Sequence, residues 1–449
     1  MIRNPLPHFL HTASAPSLVP RSGARLGRLY AALCLAGLPS IGQALDFGPN
    51  GMFSLTGFAE VSLGAGSNQC KDCQLYPTEN KQRIWADELI QGAKFDTETS
   101  AFSQIQPYLG FKYDLGKGVK LSGLLSQRWR DGEVDVKGYW YEKNVAVSHE
   151  DFGSLRIGAM TTRGWSVADY PYGTNVGVAS AWGSSGAGYG MLTGAVRYTS
   201  RILDVADGDL VVEGTYDRGN TAFKINKPSF MELYTQFHKG DLVMDATLQH
   251  GKNGTPMAWS HGPFTGLTPF AKDDSKLTGS DQGMAMLMAR YQVTSQWEVS
   301  GGIRRNYWSG ANAVMTGGNT WNEMFNVDWD GVRSGVSNPG YSARSTDLML
   351  GVLYRMGQWT ASTGMVYLGK AKTANPSERG QSNSALINTA GLKYDYGQGV
   401  QFNVQTGMVH YGRIGLSPMS APDNQSFTKI DSRVTDQGNW FTVGLVYSF

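Results

Sequence analysis

The last ten residues, 440–449 (WFTVGLVYSF), decide the fold class. Apolar side chains alternate with small and polar ones along this stretch, and one face of an extended strand carries Phe441, Val443, Leu445, Tyr447 and Phe449. The same alternation runs through residues 53–63, where Phe53, Leu55 and Val61 share one face. A period of two therefore marks both ends of the chain beyond residue 45, and it predicts strands there.

Working inward from these ends, the same period recurs and no convincing helical period of 3.6 residues appears. The pattern predicts sixteen strands. They lie near residues 52–64, 103–114, 119–130, 143–150, 153–160, 190–201, 208–217, 229–238, 241–250, 281–293, 296–309, 345–356, 358–369, 384–396, 399–411 and 437–449.

The connections between these segments alternate in length. The tight ones are residues 115–118, 151–152, 239–240, 294–295 and 397–398, and the long ones are 65–102, 161–189, 251–280, 310–344 and 412–436. An even number of strands of about ten residues, with short turns at one end and long loops at the other, is typical of a membrane-spanning antiparallel β-barrel. An all-β transmembrane barrel is the predicted fold class, and a soluble β protein is the alternative.

Composition agrees with a barrel and argues against a helical membrane protein. Hydrophobic residues make up 41% of the chain, and no stretch after residue 45 approaches the ~20 consecutive apolar residues of a membrane helix. A barrel turns only alternate residues toward lipid, so its mean hydropathy stays low. Aromatic residues near predicted strand ends suit interfacial girdles, namely Tyr108, Tyr113, Tyr354, Trp359, Tyr394 and Tyr447.

The N-terminal region predicts export. Arg21, Arg25 and Arg28 precede a short apolar run that ends in Gly42-Gln43-Ala44, which resembles a signal-peptidase site. We predict a signal peptide over residues 1–44, with a membrane anchor as the alternative. Removal of this segment, which holds four Arg and no acidic residue, changes the formal net charge from +2 to −2. A nucleic-acid role thereby loses its only support.

Three stretches resemble the general, trimeric porins of Gram-negative bacteria. They are residues 105–121 (IQPYLGFKYDLGKGVKL), 145–158 (VAVSHEDFGSLRIG) and 194–200 (GAVRYTS). The terminal Tyr447-Ser-Phe449 resembles the assembly signal of that family. The resemblance implies a sixteen-stranded homotrimer in the outer membrane, contacts with outer-membrane lipid, lipopolysaccharide and the barrel-assembly machinery, and a third external loop folded inward.

The candidate constriction loop is residues 161–189. It combines small residues with a set of charged and aromatic ones, namely Arg163, Trp165, Asp169, Tyr170, Tyr172 and Trp182. The segment lacks the acidic Pro-Glu-Phe-Gly-Gly pattern that is common in the family, so the resemblance does not fix pore selectivity. A mobile external loop is the alternative interpretation.

Alternation also predicts which charged residues line the lumen. The inward positions include Lys120, Arg128, Arg130, Arg156, Arg197 and Glu60. An arginine that faces lipid near the bilayer centre costs ~2–4 kcal/mol, so the lumen is the favoured location. These cations predict a mild anion preference. The alternative is that each pairs with an inward acid, such as Glu60, Glu213, Glu232 or Asp245, and serves stability.

Two further motifs have simpler interpretations. Cys70 and Cys73 form a C-x-x-C in the first long loop, which predicts a local disulfide in an exported chain. The segment Asn326–Gly331 imitates the start of a calcium loop, but Ser337 occupies the position of the bidentate glutamate, so a polar turn is expected. No metal and no cofactor are predicted.

A barrel of this kind could have four functions. A porin for passive diffusion of small hydrophilic solutes and ions comes first, and a substrate-selective channel that binds a particular anion or sugar is the alternative. A barrel enzyme requires a nucleophile, a base and an orienting group together, and no such motif accompanies the histidines. A structural or adhesive barrel would lack conductance.

Overall fold

The computed structural model describes residues 45–70, 98–134, 139–168, 172, 182, 190–219, 221, 224–225, 227–252, 263–264, 281–309, 343–370, 372–373, 384–411 and 435–449. The predicted signal peptide, Cys73 and the calcium-like segment lie outside the described residues.

Sixteen long strands form one closed antiparallel β-barrel. The first eight are β1 (Phe53–Cys70), β2 (Glu98–Gly116), β3 (Val119–Ser126), β4 (Glu142–His149), β5 (Gly153–Thr161), β6 (Met191–Thr199), β7 (Gly208–Asp217) and β8 (Ser229–Lys239). The second eight are β9 (Leu242–Lys252), β10 (Asp281–Gln292), β11 (Trp297–Ser309), β12 (Ala343–Met356), β13 (Trp359–Leu368), β14 (Ala385–Gly397), β15 (Val400–Tyr411) and β16 (Thr435–Ser448).

The barrel closes where β1 pairs with β16. Phe58 lies opposite Ser448 and the register runs without a shift to Gln69 opposite Gln437. The last residue takes part as well, because Phe449 donates its N–H to the Gly57 carbonyl at 2.9 Å and accepts from the Gly57 N–H at 2.8 Å. Closure confirms the predicted sixteen-stranded barrel, in which neighbouring strands satisfy each other's backbone groups.

Two tight turns have the same construction. The sequences 114–118 (DLGKG) and 395–399 (DYGQG) each place a non-glycine residue with positive φ between two glycines, Lys117 at 53° and Gln398 at 53°. The aspartate of each turn accepts the N–H two residues on, at 2.7 Å for Asp114 and 2.9 Å for Asp395. Glycine supplies the backbone freedom and the aspartate closes the turn, which explains the tight connections.

Three strands differ from the prediction. β1 and β2 extend well into the segment 65–102 that was predicted as a loop, because their residues continue to pair with each other up to Gly66 opposite Glu98. The predicted strand 119–130 is regular only to Ser126. After it a short strand, Trp129–Arg130, pairs with Gln104 and Ile105 of β2.

The two faces of the wall differ in polarity. On β5, Leu155 and Ile157 are 46% and 51% exposed on the outside, whereas Arg156 lies on the inner face between them. The interior concentrates the buried polar side chains, such as Gln104, Thr247 and Thr389. An apolar exterior around a polar interior is the arrangement that a barrel in lipid requires. Parity also places Tyr108 with the inward Gln104, so it is not a girdle residue.

Short elements complete the described fold. They are the strands Leu45–Phe47, Glu133–Val134, Leu203–Val205, Pro263–Phe264 and Lys372–Thr373, a 3₁₀ turn Pro49–Gly51, and the helix α1 (Arg163–Val167). Within the described part of the chain, no helix has the length and apolar character needed to cross a membrane.

Candidate functional site

The segment after β5 lies inside the barrel. Its described side chains Trp165, Tyr172 and Trp182 are 2%, 1% and 0% exposed. Trp165 packs with Tyr141 and with Met191 of β6, Tyr172 contacts Asp245 of β9, and Trp182 contacts Met288 of β10 and Arg304 of β11. Three contact points along the segment hold it against the wall.

The first contact point is at α1. The Arg163 guanidinium donates two hydrogen bonds to Glu213 of β7, at 2.6 and 2.9 Å. The backbone N–H groups of Arg163 and Gly164 donate to the two oxygens of Glu232 of β8, at 2.8 and 2.9 Å. Arg197 of β6 lies 3.8 Å from Glu213 and 3.6 Å from Glu232. Two guanidinium groups and two carboxylates thus balance each other in a buried cluster.

Gly164 allows α1 to approach the wall closely. A Cβ at this position would lie 2.6 Å from the Met284 methyl carbon and 2.7 Å from Nε2 of Gln249. Gln249 in turn donates to Glu232 at 2.6 Å. A larger residue at position 164 would therefore displace the ends of the Met284 and Gln249 side chains, and with Gln249 its hydrogen bond to Glu232.

The second contact point is Tyr172. Its hydroxyl donates to Oδ2 of Asp245 at 2.7 Å, and Tyr234 donates to the other oxygen at 2.5 Å. Gln236 also donates to Asp245, at 2.9 Å. Burial and then the Asp245 carboxylate raise the pKa of the Tyr172 hydroxyl well above its ordinary value, so the phenol keeps the proton that it donates.

The third contact point is Trp182. Its indole Nε1 donates to the Met288 sulfur at 3.1 Å, and the guanidinium carbon of Arg304 lies 4.6 Å from the ring centroid. A Cβ on Gly302 would lie 2.9 Å from the indole, so the glycine leaves the hollow that the ring fills. Arg304 also donates to the Trp182 carbonyl at 2.5 Å and pairs with Asp347 at 2.9 Å.

A second group of arginines lies beside β1 to β4. Arg128 donates to the Tyr141 hydroxyl and lies 4.5 Å from the centroid of that ring. Arg130 reaches Oε1 of Gln104 at 3.5 Å, and the Gln104 amide donates to Glu60 at 2.8 Å. Arg128 thus contacts a phenol and Arg130 an amide, and the same amide donates to the Glu60 carboxylate.

The other sequence-predicted residues lie in different surroundings. Arg156 donates to Oδ1 of Asn144 at 3.3 Å on the inner wall. Lys120 lies near the short turns instead, where it is 53% exposed and 3.8 Å from Glu150. At the terminus, the rings of Tyr447 and Phe449 lie 5.9 Å apart. Asp169 and Tyr170 lie outside the described residues, and Cys70 ends β1 with its side chain not described.

Sequence reasoning missed part of the wall that holds the segment. Neither the inward Met284, Met286 and Met288 of β10 nor the pair of Arg304 and Asp347 was named, although all are buried against it. The signal was available in the sequence GMAMLMAR, because three methionines at a spacing of two lie on one face of a strand.

Comparison with known proteins identifies the fold. No protein-family model and no curated protein matches this sequence. Among solved structures, the anion-selective porin from Comamonas acidovorans is 13% identical with a TM-score of 0.53, covering 88% of this chain and 99% of that one. The outer membrane channel DcaP of Acinetobacter baumannii is 12% identical with a TM-score of 0.52, covering 90% and 99%. Salmonella typhi OmpF is 12% identical with a TM-score of 0.52, covering 91% and 100%. The chain therefore has the sixteen-stranded barrel fold of the outer-membrane porins.

Proposed function

We propose that the protein is a porin of the outer membrane of a Gram-negative bacterium, a water-filled channel for passive diffusion of small hydrophilic solutes and ions. One observation carries the proposal. The segment after β5 is folded into a closed barrel and held at Arg163, Tyr172 and Trp182. A barrel with an apolar exterior and a polar interior that is narrowed from within is the construction of a diffusion channel.

The segment 161–189 is the proposed constriction. Arg163, Tyr172 and Trp182 contact residues of β7, β9 and β11, so these three contact points lie along one side of the lumen. Asp169 and Tyr170 lie between the first two contact points in the sequence, and we assign them to the same narrow zone. The free side of the lumen then faces Arg128, Arg130 and Glu60.

We infer a mild anion preference from the group beside β1 to β4. Arg128 and Arg130 contribute two positive charges there, near Glu60, and fixed charge raises the local concentration of the opposite ion. The balanced cluster around α1 contributes no net charge. The Comamonas protein with the same fold is an anion-selective porin.

A substrate-selective channel for an anion or a sugar is the second candidate. The observation that favours it is the stack of Arg128 on the Tyr141 ring, with Trp165 6.5 Å from the same ring. Aromatic faces next to a guanidinium group suit flat or anionic solutes. Conductance that saturates with solute concentration would distinguish this candidate from a general porin. We expect no catalytic activity in either case.

Planar-bilayer recording tests the proposed function. The purified protein should give stepwise conductance, and its reversal potential in a salt gradient should show the preferred ion. Absence of any conductance from correctly folded protein would favour a structural or adhesive barrel and refute the channel. A cation-selective reversal potential would refute the charge assignment and leave the channel intact.

Assembly and processing belong to the same proposal. We propose a homotrimer in outer-membrane lipid and lipopolysaccharide, exported with residues 1–44 as signal peptide and inserted by the barrel-assembly machinery. The Cys70–Cys73 disulfide is proposed for the oxidising compartment. Heat-labile trimers in mild detergent, a mature start at Leu45 and a thiol count of zero are the results expected. A purely monomeric band would contradict the trimer.

The terminal phenylalanine is the proposed assembly residue. Phe449→Ser should lower the surface yield more than it lowers the thermal stability of inserted barrels, because the signal is read before the barrel closes. Gly57→Ala is the matched control. A Cβ there would lie 2.7 Å from the Phe449 ring, so this variant disturbs the closed barrel while leaving the terminal sequence intact. Normal surface yield of Phe449→Ser would contradict the assignment.

A further inference from the structure

Basic side chains gather on the outer face of the barrel, at the ends of β9 to β12 that lie away from the short turns. This outer-rim cluster consists of His250, Lys252, Arg305, Arg344 and Lys372, all of them exposed. They share the outward face with Leu248, Ile303 and Leu348, which are 54%, 46% and 44% exposed. Their side chains therefore face away from the lumen and play no part in the proposed pore.

Strand register brings the cluster into one row. His250 lies opposite Gly283, Gly283 opposite Tyr307, and Tyr307 opposite Arg344. Arg344 in turn lies opposite Lys372. Arg305 is one outward position closer to the short turns, and Lys252 is one position farther from them. Residues that are opposite each other on one face of a sheet are neighbours, so Arg344 lies beside Lys372, with Arg305 diagonal to it. His250 and Lys252 lie at the other end of the row, where Lys252 is opposite Asp281.

Side chains within the row contact one another. A Cβ on Gly283 would lie 2.5 Å from the Tyr307 ring, so the ring occupies the space above this glycine. The Tyr307 hydroxyl lies 2.6 Å from Nδ1 of His250, and Asp281 lies 3.6 Å from Nε2 of the same histidine. In the described ranges, the four Lys and Arg of the cluster make no hydrogen bond or ion pair with the protein. Their charges are available to a ligand.

The height of the row matches a membrane boundary. On β11, Trp297 near the short turns and Tyr307 in the row are ten residues apart. A strand that rises ~3.3 Å per residue at a tilt of ~40° covers about 25 Å along the barrel axis over that length, which is the height of the apolar band of an outer-membrane barrel. Trp297 stacks on Tyr354 with centroids 4.5 Å apart, as expected for an interfacial aromatic pair. The outer-rim cluster thus lies at the opposite interface, at the level of lipid headgroups.

We propose that the outer-rim cluster binds the phosphate groups of a phosphorylated glycolipid headgroup in the outer leaflet, the lipid A portion of lipopolysaccharide. The inference rests on the proposed placement in the outer membrane. Arg305 and Arg344 present planar guanidinium groups that match phosphate geometry, and Lys252 and Lys372 add positive charge on either side. The row covers only part of the described barrel circumference. On β15 and β16, outward positions toward the same end hold the apolar Met408 and Phe441 instead.

Lipid titration followed by native mass spectrometry tests the proposal. The full mature chain in mild detergent is titrated with diphosphoryl lipid A and, separately, with the same lipid after removal of both phosphates. Wild type should bind the phosphorylated lipid at least about tenfold more tightly, and this preference should weaken as salt rises. The triple variant Arg305→Gln, Arg344→Gln and Lys372→Gln should lose most of the preference.

A matched control removes three exposed cations at the other end of the barrel. Lys117→Gln, Arg201→Gln and Lys239→Gln together should change lipid A affinity less than about twofold, because these residues lie at the short turns. Equal affinity of wild type for the two lipids overturns the proposal, as does an unchanged affinity of the outer-rim variant. Displacement of lipid A by millimolar inorganic phosphate would also overturn it, because the site would then bind free phosphate.

Conductance of the same preparations separates this inference from the proposed function. A conducting wild type without phosphate-dependent lipid binding refutes the outer-rim cluster alone. Phosphate-dependent binding in a protein that never conducts refutes the channel alone. Because the wild-type comparison of two lipids needs no substitution, the inference remains falsifiable even if the triple variant fails to fold.

Discussion

Two groups of arginines inside the barrel have different surroundings. In the carboxylate cluster, Arg163 and Arg197 lie against Glu213 and Glu232, with hydrogen bonds as short as 2.6 Å. In the phenol–amide cluster, Arg128 contacts the Tyr141 hydroxyl and ring. Arg130 of that cluster contacts the Gln104 amide at 3.5 Å.

The two clusters therefore have different roles. The carboxylate cluster contains equal numbers of opposite charges and also binds two backbone N–H groups of α1, so it holds the segment in position and adds no net field. In the phenol–amide cluster, Arg128 and Arg130 contact a phenol and an amide, and the proposed anion preference rests on their charges. Loss of a charge in the first cluster should therefore appear mainly as lost stability, and in the second mainly as changed selectivity.

The largest effect is expected from Glu213→Gln. The change leaves Arg163 and Arg197 buried with a single carboxylate between them, and breaking a buried ion pair from one side costs about 3 to 5 kcal/mol. When samples are heated before gel electrophoresis, the temperature at which the band shifts from the folded to the unfolded mobility should fall clearly. Open-channel current should also become noisier as α1 leaves the wall.

The double change Arg163→Met with Glu213→Leu provides the control. Removal of both partners avoids an uncompensated buried charge, so the double variant should be more stable than Glu213→Gln. If Glu213→Gln unfolds at the wild-type temperature, the cluster does not hold the segment.

Trp182→Ala should have the next largest effect. It empties the hollow above Gly302 and removes the contacts with Met288 and Arg304, at a cost of about 3 kcal/mol for a buried aromatic side chain. Because this contact point is far from both clusters, conductance should rise while ion preference stays. A changed reversal potential in this variant would show that the segment also carries the selectivity.

The double variant Arg128→Gln and Arg130→Gln should lose less stability than Trp182→Ala. It should clearly lose anion preference. Arg128 loses its contact with the Tyr141 hydroxyl and Arg130 its contact with the Gln104 amide, and a hydrogen bond to a charged group contributes about 2 kcal/mol. The reversal potential should move toward cations. Arg197→Gln is the comparison. It should move the potential less and cost more stability, because it removes one charge instead of two and takes an arginine partner from the buried Glu213 and Glu232. Equal shifts from both variants would remove the distinction between the clusters.

The smallest effect is expected from Lys120→Gln. This side chain is 53% exposed and 3.8 Å from an even more exposed Glu150, so the pair contributes less than about 1 kcal/mol. Thermal stability and reversal potential should both equal those of the wild type. A measurable shift in reversal potential would place Lys120 in the pore entrance and extend the phenol–amide cluster toward the short turns.

Much of the fold could be predicted from local sequence. The period of two located each of the sixteen strands, and the repeated turns at Lys117 and Gln398 follow from their glycines and aspartates. The strand boundaries that were predicted wrongly depend on pairing between strands. Residues 65–70 and 98–102 have little alternation of their own, and they are strands because of their partners. Residues 98–102 pair with 62–66 of β1, and residues 65–70 pair with β16. Conversely, β3 ends at Ser126 although its pattern continues.

Parity of the strands predicted which side chains face inward, but it did not predict their partners. Arg128 and Arg197 could not be distinguished by position, and the structure places one on a phenol and the other between two carboxylates. The three contact points of the segment depend on residues far away in sequence. Arg163 and Glu213 are 50 positions apart, and Trp182 and Arg304 are 122 positions apart.

The sequence by itself determined the barrel, its strand number and the polarity of its two faces, because these depend on a period that is repeated within each strand. Only the tertiary structure decided which arginines lie beside Glu213 and Glu232, where the described residues of the segment after β5 lie, and that the basic residues of β9 to β12 gather at one end of the barrel. Each of these depends on strand register and chain closure, which bring together residues that no local pattern connects.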